Sequence, residues 1–124
     1  YYVLILVLFT QYSCSPDKTY TKEKVIGEWK CTSFESSISD FTYVEEMRTY
    51  NMGLTYSFTE EGNALVKYDG KLQFVVDWDF DPTTDEIIFN KDGAKFTSIG
   101  NDQFKSTSKL KNESTEIIIE KIIE

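Results

Sequence analysis

The densest group of acidic side chains lies in the second half of the sequence and comprises Asp77, Asp79, Asp81, Asp85 and Glu86. The first three of these aspartates have the spacing found at the start of a calcium-binding loop. The rest of the loop does not match, because Pro82 stands where that loop needs glycine and Ile88 stands where it needs a bidentate glutamate. We therefore predict no metal site. We interpret Asp77 and Asp79 as side chains on the solvent face of a strand, and Asp81 and Asp85 as residues that flank a turn.

Catalytic groups are scarce, since the sequence contains no histidine, and this excludes histidine-based triads and histidine metal sites. A glycosidase-type pair of carboxylates would have to face a cleft, whereas the acidic side chains above are expected to face outward. Cys31 lies two residues after Trp29, on the same face of one predicted strand, and is interpreted as a buried, unreactive thiol. The sequence thus predicts a protein that is not an enzyme and that binds no cofactor.

The first ten residues are almost all apolar and carry no charge. They are too few to cross a bilayer as a helix, but they have the length of the hydrophobic middle of a signal peptide. Residues 11–14 read Gln-Tyr-Ser-Cys, which resembles a lipoprotein signal-peptidase box with Ser13 beside the modified Cys14, although Gln11 and Tyr12 depart from the usual box.

This resemblance implies three segments. Residues 1–13 are expected to be a signal peptide whose first residues are missing from the sequence. Cys14 is expected to carry palmitate or similar acyl chains. Residues 14–23 are expected to form a polar linker that begins at this cysteine. The barrel domain is expected over residues 24–124. Two alternatives remain open, namely a buried strand in the first residues and a disulfide between Cys14 and Cys31.

The 21 acidic and 13 basic residues give a net charge of −8. An acidic surface repels nucleic-acid phosphates and anionic lipid head groups. We therefore exclude nucleic acid as a partner, and we expect membrane attachment through the lipid on Cys14 rather than through surface charge. The expected location is the cell envelope of a Gram-negative bacterium, at the outer membrane, and the sequence identifies no protein partner.

Turn-forming pairs such as Asp69-Gly70 and Gly100-Asn101 recur after Gly53 at intervals of about 8–12 residues, which is typical of short strands joined by tight turns. We predict eight strands, near residues 26–35, 54–60, 64–69, 72–80, 86–90, 94–99, 103–110 and 115–123. Antiparallel strands leave exposed edges unless the sheet closes. The short connections therefore predict an all-β fold, a small up-and-down β-barrel, with a two-sheet sandwich as the alternative. Residues 39–52 are predicted to form a short helix or a lid-like loop between the first two strands.

The strand at residues 72–80 alternates most clearly. Its apolar face comprises Leu72, Phe74, Val76, Trp78 and Phe80. Because successive side chains of a strand point to opposite faces, we expect all five to lie inside the barrel.

Gly27-Glu28-Trp29 opens the first predicted strand, and Gly-x-Trp at this place resembles the lipocalin signature. The later aromatic-x-Phe strand, the central strand with its tryptophan and the apolar last strand make the chain similar to lipocalin-like lipoproteins of the Bacteroidetes type. The resemblance implies that Trp29 closes the bottom of the barrel and that Gly27 permits a close bend into the first strand. Many lipocalins place an arginine against this tryptophan, and the last strand here offers Lys121 instead.

Aromatic side chains are the candidates for lining the barrel interior: Trp29, Tyr56, Phe58, Tyr68, Phe74, Trp78, Phe80, Phe89, Phe96 and Phe104. Such a lining would suit a small hydrophobic ligand, which is the function that we predict. The alternative is a filled barrel that serves as a structural or protein-interaction module, because an eight-stranded barrel is barely wide enough for its own side chains or for one small ligand.

Overall fold

The computed structural model of this chain describes residues 20–90 and 93–123. Eight antiparallel strands follow one another around a closed barrel, and the last strand pairs back onto the first. The strands are β1 (Gly27–Ser36), β2 (Leu54–Phe58), β3 (Asn63–Tyr68), β4 (Lys71–Asp81), β5 (Glu86–Phe89), β6 (Lys95–Gly100), β7 (Gln103–Leu110) and β8 (Glu113–Lys121). The prediction of a small up-and-down barrel is confirmed. Each strand begins and ends within two residues of its predicted first and last residue.

Two helices accompany the strands and mark the two ends of the barrel. Helix α1 (Lys22–Val25) precedes β1, and helix α2 (Phe41–Met52) connects β1 to β2. We call the end with α1 and the turns at residues 59–62, 82–85 and 101–102 the lower end. The end with α2 and the turns at residues 69–70 and 111–112 is the upper end. The tight turns use the residue types expected there, since Asp69 and Gly70 both adopt positive φ angles, of 51° and 82°.

Helix α2 confirms the helical alternative for the segment between the first two strands. Asp40 caps its start, because the Asp40 carboxylate accepts a hydrogen bond from the backbone N–H of Tyr43 at 3.1 Å. Gly53 follows the last residue of the helix and lets Tyr68 approach closely, since an added Cβ would lie only 2.6 Å from Cε1 of Tyr68. The rings of Tyr50 and Tyr68 stack with their centroids 5.1 Å apart. The helix is therefore held against the upper end of β3.

A β-bulge in β4 changes the predicted inner face. Val66 pairs with Phe74 and Lys67 pairs with Leu72, so Gln73 is an extra residue without a partner on β3. An extra residue reverses the alternation of faces beyond it. Leu72 consequently shares the outer face with Lys67 and is 55% exposed, and the expectation that it lies inside is wrong.

The rest of this strand follows the predicted alternation. Trp78 and Phe80 are buried, and Val76 packs against the core. Phe74 pairs with the buried Val66 on the inner face but is 47% exposed, because it lies near the upper end of the barrel.

Candidate functional site

The interior of the barrel is filled by aromatic rings that touch one another. The Phe58 ring lies 5.1 Å from the Trp78 ring, 5.9 Å from the Phe89 ring and 6.5 Å from the Trp29 ring, measured between centroids. The Tyr56 ring lies 6.2 Å from the Phe89 ring. Separations of this size are direct ring contacts. These predicted lining residues therefore come together, but they form a packed core.

Of the ten predicted lining residues, Phe74 lies away from this core, and Tyr68 packs against it from the upper end. Tyr68 is partly buried at the upper end, where it stacks on Tyr50, and Phe74 is half exposed on β4. The remaining eight belong to the core cluster or pack against it: Trp29, Tyr56, Phe58, Trp78, Phe80, Phe89, Phe96 and Phe104.

Trp29 closes the lower end of the barrel. Its side chain is fully buried, and its indole N–H donates a hydrogen bond to the Val25 carbonyl oxygen at 2.8 Å. The ammonium group of Lys121 lies 6.0 Å from the centroid of the Trp29 ring, within the range of a cation–π contact. Lys121 thus lies against the tryptophan in this barrel. Gly27 has a φ of +136°, and a Cβ there would lie 3.3 Å from Cε of Lys121, so this glycine makes room for the contact.

Tyr20 seals the same end from below. Its hydroxyl donates a hydrogen bond to the Asp102 carboxylate at 2.7 Å, and its ring meets the Phe104 ring edge-on at 5.2 Å. Burial, followed by the hydrogen bond to Asp102, raises the pKa of the Tyr20 phenol. The lower end is therefore closed by packed rings and a hydrogen bond.

A groove of about 280 Å³ opens at the upper end, between α2 and the ends of β1, β7 and β8. Its walls are mainly apolar and include Phe34, Ile38, Val44, Met47 and Leu110. Phe34 and Val44 are buried at its base. This groove was missed by sequence reasoning, because it exists only where α2 packs over β1. The one available signal was the spacing of Val44 and Met47 on one face of the predicted helix.

Arg48 of α2 holds the helix over this groove. Its Nε donates a hydrogen bond to the Phe34 carbonyl oxygen at 3.3 Å, and its guanidinium lies 5.9 Å from the centroid of the Phe34 ring. Arg48 also forms an ion pair with Glu45 on the same helix. These contacts orient the apolar face of α2 toward the end of β1.

Exposed apolar side chains are concentrated on the same end of the barrel. Those of the upper half are Phe41, Tyr43, Met52, Leu72, Phe74, Val75 and Leu110, whereas Ile99 and Ile123 lie near the lower end. Two of these side chains, Tyr43 and Leu110, line the groove, and exposed apolar surface beside a groove is typical of a binding site. We call the groove together with these upper-half side chains the upper-end surface.

A larger, open groove of about 960 Å³ lies at the lower end beside Tyr20. The polar groups that line it are bonded to each other. Asp85 accepts a hydrogen bond from the Tyr20 backbone N–H at 3.4 Å, Asp102 accepts one from the Tyr20 hydroxyl, and Lys121 donates one to the Lys24 carbonyl oxygen. Because these polar groups bond to one another, few of them remain to bond to a ligand.

The acidic side chains of β4 and the following turn serve local structure. Asp79 forms an ion pair with Lys22 at 3.1 Å, and a hydrogen bond from the Phe80 backbone N–H, followed by the bond from Lys22, lowers its pKa. Asp81 accepts a hydrogen bond from the backbone N–H of Thr83 at 2.9 Å. Within residues 20–90 and 93–123, no three His, Cys, Asp or Glu side chains converge as metal ligands.

Cys31 is buried in the core, with 4% of its surface exposed. Its thiol lies 3.4 Å from the Ser33 carbonyl oxygen, to which it donates a hydrogen bond, and burial raises the pKa of the thiol. A thiol with a raised pKa is protonated at neutral pH and is a poor nucleophile. Cys14, predicted to carry the lipid, lies outside the described residues, as do residues 1–13 and most of the predicted linker.

Comparison with known protein families, with curated proteins and with solved structures found no match to this chain. Among the helices of the described segments, none has the length and apolar character needed to cross a membrane.

Proposed function

We propose that this protein is a lipid-anchored β-barrel of the bacterial cell envelope that has no enzymatic activity and binds another protein through its upper-end surface. The attachment is inferred from the apolar run at residues 1–10 and from Ser13 and Cys14, which suit a lipoprotein signal-peptidase box. Membrane attachment through acyl chains needs no basic surface, in keeping with the net charge of −8.

The observation that carries the binding proposal is the contrast between the interior and the upper end. The rings around Phe58 fill the lumen at centroid separations of 5.1–6.5 Å, which leaves little space for a ligand among them. Apolar side chains such as Phe41 and Leu110, at 75% and 71% exposure, are instead presented to solvent. Interface centres are enriched in aromatic side chains and methionine, which this end presents as Phe41, Tyr43 and Met52, so a protein surface is the partner that fits best.

A small hydrophobic molecule is the second candidate, and the groove beneath α2 favours it. Ligand pockets in proteins usually measure about 300–1,000 Å³, and this groove, at about 280 Å³, lies just below that range. A ligand there would contact Phe34 and Val44 rather than the rings of the lumen.

Lipid attachment is tested by expressing the precursor in a Gram-negative bacterium with and without Cys14→Ser, in the presence of radioactive palmitate. The unaltered protein should incorporate palmitate and sediment with membranes, and the variant should do neither. A variant that still sediments with membranes, or an unaltered protein without label, would show that the anchor is wrong.

Binding at the upper end is tested with a photo-crosslinking phenylalanine analogue at Tyr43, and with the same analogue at Ile99 as a control. These side chains have similar exposure, 47% and 44%, but lie at opposite ends of the barrel. Protein adducts should form from position 43 and not from position 99. Equal adducts from both positions, or none, would contradict the proposal, and adducts with a small molecule at position 43 would support the second candidate.

A further inference from the structure

We infer that the lower end of the barrel faces the bilayer and that the upper-end surface points away from it into the aqueous compartment. This inference rests on the proposed lipid on Cys14, and it specifies the partner of the upper-end surface. The partner is then a protein domain in the aqueous compartment, with an apolar face of its own, and not the bilayer that holds the anchor.

The chain is fixed to the lower end of the barrel at Tyr20. The Tyr20 hydroxyl is bonded to Asp102, its backbone N–H is bonded to Asp85, and its ring packs edge-on against Phe104 and Trp29. The centroid of the Tyr20 ring lies 6.2 Å from that of Trp29, which closes the barrel here. Any tether from Cys14 therefore pulls on the lower end.

The tether between these two points is short. Only residues 15–19 separate Cys14 from Tyr20. A fully extended chain covers at most about 3.6 Å per residue, so the distance from the Cys14 Cα to the Tyr20 Cα cannot exceed about 22 Å.

The barrel is taller than this tether is long. Strand β8 contains nine residues, which correspond to about 30 Å along the strand. With the usual strand tilt of about 40°, this gives a height of about 23 Å. Helix α2 adds roughly 10 Å on top. Since the tether starts at the bottom of a body about 33 Å tall, it is too short to let the barrel turn over and place its upper end on the same bilayer.

A barrel lying on its side is disfavoured by the polarity of its wall. Lys30 and Glu35 of β1 are exposed on the outer face, and Glu35 pairs with the exposed Glu116 of β8. On the opposite wall, Asp77 and Asp79 of β4 are exposed on the outer face. Pressing such groups into the interface removes them from water at a cost in free energy. The lower end is therefore the part of the barrel expected to lie nearest to the lipid head groups.

The orientation is tested with a matched pair of labelled variants, Thr83→Cys at the lower end and Thr42→Cys at the upper end. Both threonines are exposed. The full lipidated chain is placed in phosphatidylcholine vesicles that contain a head-group quencher, and a thiol-reactive fluorophore is attached to the new cysteine. Cys31 should not react because it is buried, and an acylated Cys14 should not react because its thiol is blocked.

We expect the fluorophore at position 83 to be quenched severalfold more strongly than the fluorophore at position 42. A flexible Gly/Ser insertion of about 20 residues after Thr19 serves as a control, since its random-coil span of roughly 25 Å lengthens the tether, and it should reduce the difference. Equal or reversed quenching with the natural tether overturns the orientation. Failure of the anchor gives a different result, because the chain then does not bind vesicles and Cys14 takes up the label.

Discussion

Replacing Trp29 with alanine tests whether the lower end is closed by a packed and hydrogen-bonded side chain. Loss of a fully buried tryptophan ring usually costs about 3–5 kcal/mol. The Trp29 indole also donates the 2.8 Å hydrogen bond to the Val25 carbonyl oxygen, and leaving that acceptor without a partner adds about 1 kcal/mol or more. We therefore expect Trp29→Ala to lower the free energy of unfolding by about 4–6 kcal/mol.

Equilibrium unfolding in urea measures this loss, and the fluorescence of Trp78 reports it, because Trp78 is the other of the two tryptophans in the chain. Domains have a total stability of about 5–15 kcal/mol, so Trp29→Ala can leave little folded protein. Trp29→Phe is then the more tractable variant. It keeps a ring between Phe58 and Phe104 but loses the indole N–H, and we expect a cost of about 1–3 kcal/mol.

Phe41→Ala is the control for these measurements, since Phe41 is 75% exposed and should change the stability by no more than about 0.5 kcal/mol. A cost below about 1 kcal/mol for Trp29→Ala, which is typical of surface sites, would refute the role of Trp29 as the closure of the barrel. If Trp29→Phe costs as much stability as Trp29→Ala, then ring packing and the indole hydrogen bond do not contribute separately as we infer.

Three further predictions concern the upper end, alkaline pH and the buried thiol. Gly53→Ala should destabilise the protein by about 1–3 kcal/mol, because the new Cβ would lie 2.6 Å from the Tyr68 ring. A change in the free energy of unfolding below about 0.5 kcal/mol, measured in urea, would contradict this prediction. Burial raises the pKa of Tyr20 and of Tyr56, so the folded state keeps these phenols neutral and its stability should be intact below about pH 10 and fall at higher pH. The variant with both tyrosines changed to phenylalanine should lose less stability between pH 9 and pH 11 than the unaltered protein, and an equal loss would rule the tyrosines out as its cause. Cys31 should react with a thiol reagent only after denaturation, and a fast reaction in the folded protein at neutral pH would show that it is not buried.

Local sequence signals account for most of the fold. Turn pairs such as Asp69-Gly70 mark the hairpins because few residue types accept their positive φ angles. The alternation through Val76, Trp78 and Phe80 marks a strand with one buried face. Aspartate is one of the residue types that favour a helix N-cap, and Asp40 caps α2. Each of these signals depends on a few neighbouring residues, so it can be read without knowing what packs against them.

Such local signals do not predict which face of the sheet a side chain lies on near the upper end. The bulge at Gln73 reverses the side on which Leu72 lies, and β1 has a similar irregularity between Cys31 and Ser33. A bulge arises from the match between two strands that are distant in sequence. The pattern of one strand alone predicts a regular alternation and therefore places Leu72 inside.

The sequence by itself thus determined the number and order of the strands and most of the aromatic residues that meet in the core, and it left a helix or a lid-like loop as the alternatives between the first two strands. Only the tertiary structure decided that rings such as Phe58 and Trp78 touch across the lumen, that Lys121 lies against Trp29, and that α2 forms an apolar groove over Phe34. The reason is physical. Strand alternation and turn chemistry are local properties of the backbone, whereas the filling of a lumen depends on how side chains from all eight strands share one volume.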